Sequence, residues 1–142
     1  MDDVGQAFTI LFVEHDLNFS EMFAEALRAN GDQVVIAGSA GEAIRLAIEH
    51  APDAVLLDLR LPDGHGYDVA RTLRRECLNE QAAVVALTGM NLREVPPGEE
   101  AGVDLVLSKP VKADLLSGLL RYVRQQRGRR IERAKRSRSQ PA

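Results

Sequence analysis

The chain has 142 residues, of which 45% are apolar, 27% are charged and 4% are aromatic. This composition fits one α/β-type globular domain and excludes collagen-like, disulfide-scaffold and strongly disordered proteins. A chain of this length buries roughly 68–70% of the surface that its unfolded form exposes, so a core can form without crosslinks.

The formal net charge of −3 conceals a strong asymmetry along the chain. Residues 1–120 carry 9 Lys or Arg against 20 Asp or Glu, a balance of −11, whereas residues 121–142 carry 9 against 1, a balance of +8. We therefore expect an acidic domain over residues 1–126 and a basic tail over residues 127–142 that extends the last helix or is disordered.

Cysteine content and hydropathy indicate a cytoplasmic protein. The single cysteine, Cys77, has no partner in the chain and lies at an apolar helical spacing, which favours a small buried hydrophobe over a nucleophile. No apolar run approaches the roughly 18 residues needed to span a bilayer. Residues 1–6 are acidic rather than a basic leader.

Five short apolar runs predict the strands of a parallel sheet. Each run is rich in Val, Ile and Leu without polar alternation, as in strands that are covered on both faces. The runs are Phe8–Val13, Val34–Ala37, Ala54–Leu57, Ala83–Leu87 and Val103–Leu107.

Apolar residues at helical spacing separate these runs and predict a helix after each strand. The segments Asn18–Glu21 and Ser39–Glu42 have the spacing of capping boxes, which places two helix starts near residues 18 and 39. The fourth helix is weak, because Pro96-Pro97 within Asn91–Gly102 removes two donors and favours a stub or an irregular loop. The alternation predicts a doubly wound, three-layer α/β/α fold.

Charged and hydroxyl side chains follow four of the five predicted strands. Ligand sites of open α/β sheets lie outside the carboxyl ends of the strands, so these side chains mark the candidate site. The strands are followed by Glu14-His15-Asp16, by Asp58, by Thr88 and by Ser108-Lys109-Pro110.

This grouping of acids, a lysine and a hydroxyl predicts phosphoryl chemistry. Neighbouring strands lie about 4.8 Å apart, so acids at their ends raise each other's pKa unless a cation lies among them. Mg²⁺ and Lys109 are the expected cations. Asp58 is then the nucleophile that accepts a phosphoryl group, while the metal, Lys109 and Thr88 neutralise the phosphoryl oxygens.

The segments ILFVEHD, AVLLDLRLPDGHG, VVALTG and VLSKP occur in this order at successive strand ends. Together they make residues 7–125 resemble the receiver domain of two-component response regulators. The resemblance implies a flavodoxin-like, five-stranded sheet in the order 2-1-3-4-5. It also implies that a sensor histidine kinase or a phosphotransfer protein phosphorylates Asp58.

The same resemblance assigns roles to the remaining site residues. It implies metal binding by Glu14, His15 and Asp58 together with the backbone carbonyl of Arg60. Thr88 and Lys109 would contact the phosphoryl group, and the peptide bond before Pro110 would be cis.

Two positions depart from the family pattern. His15 stands where a second acid is expected, and imidazole is a poor ligand for Mg²⁺, so we expect weak Mg²⁺ binding or a preference for Mn²⁺. Asp16 or water would compensate in part; alternatively, protonated His15 replaces some of the metal charge, or it has no role. Val106 stands where the family places its switch aromatic, which puts the usual coupling to Thr88 in doubt.

Three functions remain open at this stage. The favoured one is a non-enzymatic phosphoacceptor that stands alone and signals by contact with a downstream protein. The second is a degenerate docking module that never accepts phosphate. The third is an aspartyl-phosphate phosphatase of the haloacid-dehalogenase kind, which is disfavoured because Arg60 stands where that chemistry needs a second acid.

The basic tail has its own alternatives. A helix with a solvated face that frays toward its end is the favoured interpretation. Nucleic acid, an anionic membrane or an acidic partner are the others, and nucleic acid is disfavoured because the tail region offers only Tyr122 for base stacking.

Overall fold

The computed structural model describes residues 7–139. Over this range the chain alternates strands and helices, and two single-turn 3-10 helices lie at Leu92–Glu94 and Glu99–Ala101. The elements are β1 Thr9–Val13, α1 Leu17–Ala29, β2 Gln33–Ala37, α2 Ala40–His50, β3 Ala54–Asp58, β4 Arg60–Leu61, β5 Gly64–His65, α3 Gly66–Glu76, β6 Ala83–Thr88, β7 Leu105–Ser108 and α4 Ala113–Ser139.

Five of the strands form one parallel sheet in the order β2-β1-β3-β6-β7. With the two-residue strands β4 and β5 set aside, this is the predicted order 2-1-3-4-5, and the flavodoxin-like fold is confirmed. Strands β4 and β5 pair antiparallel in a separate hairpin. No pattern in the sequence predicted this hairpin.

The alternation of side chains along each strand divides the core into two layers. On β1, Leu11 and Val13 pack with residues of α2 and α3, whereas Ile10 and Phe12 pack with residues of α1 and α4. The sheet is therefore covered on both faces, as predicted for a three-layer fold. The edge strand β7 departs from the prediction of uniformly buried strands: its apolar residues are only partly buried, because a neighbouring strand covers one side alone.

The start of α1 differs from the predicted one. The helix begins at Leu17, and the Asp16 carboxylate accepts the Phe19 N–H at 3.1 Å. Asn18 lies inside the helix, so the prediction that it caps α1 was wrong. At the start of α2, the Ser39 hydroxyl accepts the Glu42 N–H at 3.2 Å, as predicted.

The region predicted to be a weak fourth helix is an irregular loop that α3 anchors. The Tyr67 hydroxyl donates a hydrogen bond of 2.5 Å to the Pro96 carbonyl. Gly102 ends the second 3-10 turn with φ at 80°, a left-handed conformation that favours glycine. The prolines prevent a continuous helix, and the tyrosine fixes the resulting loop.

Helix α4 continues without a break across residue 126, and its part from Arg121 onward lies beside the amino ends of the strands. An acid immediately precedes each of the strands β2, β3 and β7, and arginines spaced three residues apart on α4 pair with these acids. The pairs are Arg121 with Asp32 at 2.6 Å, Arg124 with Asp53 at 3.4 Å and Arg127 with Asp104 at 2.9 Å. The expectation of a solvated face was wrong for these arginines, because the sequence pattern did not reveal their acidic partners.

Three arginines share the Asp104 carboxylate, since Arg130 also lies 3.7 Å from it. The Asp104 side chain is 7% exposed, and it accepts hydrogen bonds from Arg74 at 2.8 Å, Arg127 at 2.9 Å and the Val84 N–H at 2.9 Å. Burial, together with the nearby charge of Arg127, lowers the pKa of Arg74 to about 10, and Asp104 opposes that shift. This cluster joins α3, the sheet and α4.

Cys77 packs as a small apolar residue, as its spacing in the sequence predicted. Cys77 follows the last residue of α3 and packs, partly buried, against the core layer of α2 and α3. Burial raises the pKa of this thiol, and the Glu76 charge adds to the shift. Among the helices of residues 7–139, none combines the length and the apolar character needed to cross a membrane.

Gly66, the first residue of α3, makes the closest backbone contact near the end of β3. A Cβ at this position would lie 2.6 Å from the Asp58 carbonyl oxygen and 2.8 Å from the Leu59 Cα. Its N–H donates a hydrogen bond of 2.8 Å to the Leu59 carbonyl. Only glycine permits this approach of α3 to the strand that carries Asp58.

We predict that Gly66→Ala destabilises the protein by about 1–3 kcal/mol, because the added methyl group must displace backbone rather than a flexible side chain. Urea unfolding measures the change. Gly64→Ala is the matched control, since a Cβ there meets nothing within 4 Å, and its effect should stay within about 0.5 kcal/mol. Equal effects of the two substitutions would contradict the proposed contact.

Candidate functional site

The carboxyl ends of β1, β3, β6 and β7 bring the predicted site residues to one edge of the sheet. Glu14 directly follows β1, Asp58 and Thr88 end β3 and β6, and Lys109 directly follows β7. The Lys109 Nζ lies 2.9 Å from Glu14 Oε1 and 3.9 Å from Asp58 Oδ2. The ammonium group thus contacts both carboxylates.

The two carboxylates lie in a poorly solvated environment. Glu14 is 1% exposed, and the Asp58 side chain is 10% exposed. Burial raises the pKa of Asp58, and the neighbouring Glu14 charge raises it further. A hydrogen bond of 3.1 Å from the Arg60 N–H and the charge of Lys109 oppose this rise. Ionised Asp58 is therefore held in an unfavourable environment that a bound cation would improve.

His15 completes a group of three side chains that could hold a metal ion. Its Nδ1 lies 3.5 Å from Glu14 Oε2 and 3.8 Å from Asp58 Oδ2, and the ligand atoms of the three residues all lie within 4.8 Å of one another. Two carboxylates and one imidazole form a mixed oxygen and nitrogen set. Such a set fits a divalent cation and suits Mn²⁺ better than Mg²⁺, which prefers oxygen ligands.

Asp16 and Arg60 flank this group through their backbone. The Asp16 N–H donates to Glu14 Oε2 at 3.2 Å, while its carboxylate caps α1. The Arg60 N–H donates to Asp58 Oδ1, which fixes the orientation of that carboxylate. Arg60 itself is exposed.

Thr88 and Lys109 are held by the backbone at the ends of β6 and β7. The Thr88 hydroxyl is buried and accepts the Met90 N–H at 3.0 Å. The Lys109 N–H donates to the Thr88 carbonyl at 2.8 Å, and the Lys109–Pro110 peptide bond is cis. These contacts place a hydroxyl and an ammonium group on the same edge as Asp58.

Phe19 of α1 is a site residue that the sequence analysis missed. The Lys109 ammonium lies 4.6 Å from the centre of its ring, within the range of a cation–π interaction. Phe19 fits the apolar face of α1, so its sequence position signals a core residue only. Its contact with Lys109 depends on the packing of α1 next to β1.

We predict that Asp58→Asn stabilises the metal-free protein at pH 7. The raised pKa means that the folded state binds the Asp58 proton more tightly than the unfolded state does, so the ionised form costs stability above the folded pKa. As the pH falls through that pKa toward 3.8, Asp58 becomes protonated, and the advantage of Asn disappears. Urea unfolding in EDTA from pH 7 to pH 4 measures this change.

The control for this prediction is Asp68→Asn, at a surface carboxylate that is 74% exposed and pairs with Arg71. Its effect should stay within about 1 kcal/mol at every pH, as for other exposed ion pairs. A lower stability of Asp58→Asn at pH 7 would contradict the unfavourable environment of the Asp58 charge.

Comparison with known proteins agrees with the fold. Residues 10–121 match the response regulator receiver domain family. The DNA-binding response regulator MtrA of Mycobacterium tuberculosis is 36% identical over 113 residues, which are 79% of this chain and 47% of MtrA. The chain thus spans about half the length of this curated relative.

Two solved structures illustrate the likeness. The receiver domain of the sensor histidine kinase PA1611 from Pseudomonas aeruginosa PAO1, solved with a magnesium ion in its active-site cleft, is 29% identical, with a TM-score of 0.72 over 84% of this chain and 98% of that one. A response regulator from Burkholderia pseudomallei, solved with a phosphorylated aspartic acid and a calcium ion, shares the fold at 21% identity, with a TM-score of 0.73 over 94% of this chain and 75% of that one. The chain described here belongs to the response regulator receiver domain family.

Proposed function

We propose that the protein is a phosphoacceptor that takes a phosphoryl group on Asp58 from a sensor histidine kinase or a phosphotransfer protein. The observation that supports this proposal is the position of Lys109, whose ammonium contacts both Glu14 and Asp58. An ammonium group in this place can neutralise the oxygens of a phosphoryl group as it arrives at Asp58. The phosphorylated protein then signals by contact with a downstream protein.

The proposed transfer needs positioning more than covalent assistance. An Asp58 carboxylate oxygen attacks the phosphorus atom, the P–O bond of an acyl phosphate forms, and the bond to the donor nitrogen breaks with return of its electron pair to the donor. Lys109 stabilises the phosphoryl oxygens, and the Thr88 hydroxyl is the proposed hydrogen-bond donor to one of them. A divalent cation, held by Glu14, His15, Asp58 and the Arg60 carbonyl, would add further neutralisation.

We predict that acetyl phosphate or a phosphorylated phosphotransfer protein modifies the wild-type protein and leaves Asp58→Asn unmodified. Lys109→Gln should reduce the rate by about a hundredfold, the usual loss for one electrostatic stabiliser. Phosphate-affinity gel electrophoresis measures the modification. Asp68→Asn, an exposed acid on α3, should react like the wild type.

A protein that remains unmodified and also fails to bind beryllofluoride would contradict this function. That outcome would favour the degenerate docking module, which the departures from the family pattern at His15 and Val106 also favour. Turnover of a free phosphate ester would instead favour a phosphatase, although Arg60 stands at the position where such chemistry needs an acid. We propose a non-enzymatic role.

We further propose that His15 weakens Mg²⁺ binding and shifts the preference of the site toward Mn²⁺. The imidazole is 54% exposed and lies beside both carboxylates, so it occupies a ligand position without the charge or hardness that Mg²⁺ favours. Water or Asp16 would supply the missing oxygen ligand only in part, because the Asp16 carboxylate already caps α1.

We predict that His15→Asp tightens Mg²⁺ binding by about tenfold or more, the low end of the effects that ligand-sphere changes produce. Isothermal titration with Mg²⁺ and with Mn²⁺ measures both affinities, and the ratio should shift toward Mg²⁺. His50→Asp makes the same exchange at the end of α2 and should change neither affinity. Unchanged Mg²⁺ binding by His15→Asp would refute the assigned ligand role.

The remaining proposals concern organisation and location. We propose that residues 1–126 form the receiver domain and that residues 127–142 are a basic extension, of which the structure describes the part up to Ser139 as helix. We propose the cytoplasm as the compartment, because the single cysteine of the chain cannot form an internal disulfide.

A further inference from the structure

A groove of about 1180 Å³ lies between α4 and the amino ends of the strands. Phe8, Asp53 and Gln81, which precede β1, β3 and β6, line one side, and α4 lines the other. Asp53 directly precedes β3 and Asp58 ends it, so the two acids lie five residues apart, a distance of about 17 Å at the usual rise of a strand. This groove is therefore distinct from the phosphoacceptor edge.

Arginines dominate the side of the groove that α4 forms. Five arginines and two acids line the groove as a whole, so its lining carries a balance of +3. The arginines are Arg121, Arg124, Arg129, Arg133 and Arg136, and the acids are Asp53 and Glu132.

Two of these arginines have no side-chain partner among the residues that the structure describes. Arg129 and Arg133 are exposed and stand one helical turn apart on the same face of α4. Neither guanidinium group has a hydrogen bond or an ion pair within residues 7–139. This distinguishes them from Arg121 and Arg124, which pair with acids of the body.

Arg124 provides an independent sign of a missing acceptor. One guanidinium nitrogen lies 3.4 Å from Asp53. Its Nε atom is buried and has no hydrogen-bond partner among the residues that the structure describes. A buried donor without an acceptor costs free energy. The Arg124 side chain as a whole is 30% exposed, so a small shift of the guanidinium group would let an oxyanion in the groove accept its hydrogen bonds.

The groove also offers aromatic and amide groups. Tyr122 is 59% exposed, and Phe8 contacts Arg121, whose guanidinium carbon lies 4.5 Å from the centre of the ring. The amide side chains of Gln81 and Gln125 lie beside them. Guanidinium groups, an accessible ring and amides together match phosphates, bases and base edges of a nucleic acid.

The size and shape of the groove decide between the anions that could bind. Its volume lies just above the upper end of the roughly 300–1,000 Å³ range of small-molecule sites, so it has room for more than a single small anion. A flat membrane surface cannot follow a concave groove, and an acidic peptide makes no specific use of Tyr122. We propose that this groove binds single-stranded nucleic acid, with phosphates on Arg124, Arg129 and Arg133 and a base stacked on Tyr122.

Fluorescence anisotropy with labelled twelve-nucleotide oligo(dT) and oligo(rU), at 50 to 200 mM NaCl, tests the proposal. Three phosphate contacts predict a slope of about −2 in the plot of log affinity against log salt. The double variant Arg129→Gln/Arg133→Gln should reduce the magnitude of that slope by about 1.4. Tyr122→Leu should weaken binding about fivefold or more without changing the slope.

The matched control is the double variant Arg75→Gln/Arg93→Gln, which removes the same charge from exposed positions outside the groove. It should change the affinity by less than about twofold, because distant exposed charges are screened by salt. Binding of either oligonucleotide with these variant effects would support the proposal.

Three results would overturn it. One is the absence of binding to both oligonucleotides at 50 mM NaCl. Another is binding that the groove variant and the control variant weaken equally. The third is competition by a twelve-residue polyglutamate or a duplex of equal length as strong as that by unlabelled oligo(dT), together with full affinity in Tyr122→Leu.

Discussion

Two buried carboxylates share one edge of the sheet because the Lys109 ammonium lies between them. Glu14 follows β1 and Lys109 follows β7, and strands β3 and β6 separate these two in the sheet. Only a long, flexible side chain can cross that distance. The ring of Phe19 stabilises the ammonium group through a cation–π contact. Loss of the lysine would leave Glu14 as an uncompensated buried charge, which is strongly destabilising. The order of the strands and the chemistry of the site are therefore coupled.

The parts of this structure that follow from local pattern could be predicted from the sequence. Parallel strands end on the same edge, so the positions of Asp58, Thr88 and Lys109 followed once the apolar runs were identified as strands. Pro96-Pro97 predicted the irregular loop, because the effect of proline on a helix is local. The chemistry of the residues present at the strand ends indicated an acidic site that needs cations.

Contacts between distant segments could not be predicted in this way. The approach of Gly66 to the Asp58 carbonyl depends on how the β4–β5 hairpin turns, and its sequence shows only an ordinary turn glycine. Asp16 and Asn18 both suit a helix cap, and residue type alone does not distinguish them. The acidic partners of the α4 arginines could not be predicted either. Nothing in the sequence around an acid that precedes a strand shows that it pairs with a helix far along the chain.

The loop between β6 and β7 is held in a way that bears on signalling. Val106 is partly buried in the core layer of α2 and α3 and has no ring that could exchange between two positions. Tyr67 instead bonds to Pro96, and a Cβ at Gly98 would lie 2.8 Å from Val103. A phosphoryl group on Asp58 would thus meet a closely packed loop. Rotation of an aromatic side chain at position 106 is therefore not available to carry a response to this face.

The cluster around Asp104 has a consequence for substitutions in this part of the fold. One carboxylate receives Arg74 from α3 and both Arg127 and Arg130 from α4, so loss of that acid would leave three guanidinium groups without their shared counter-charge. Removal of one partner from a buried ion pair is strongly destabilising, whereas replacement of the partners together by well-packed apolar residues is often neutral. The fold therefore tolerates the exchange of the whole cluster better than the exchange of its acid alone.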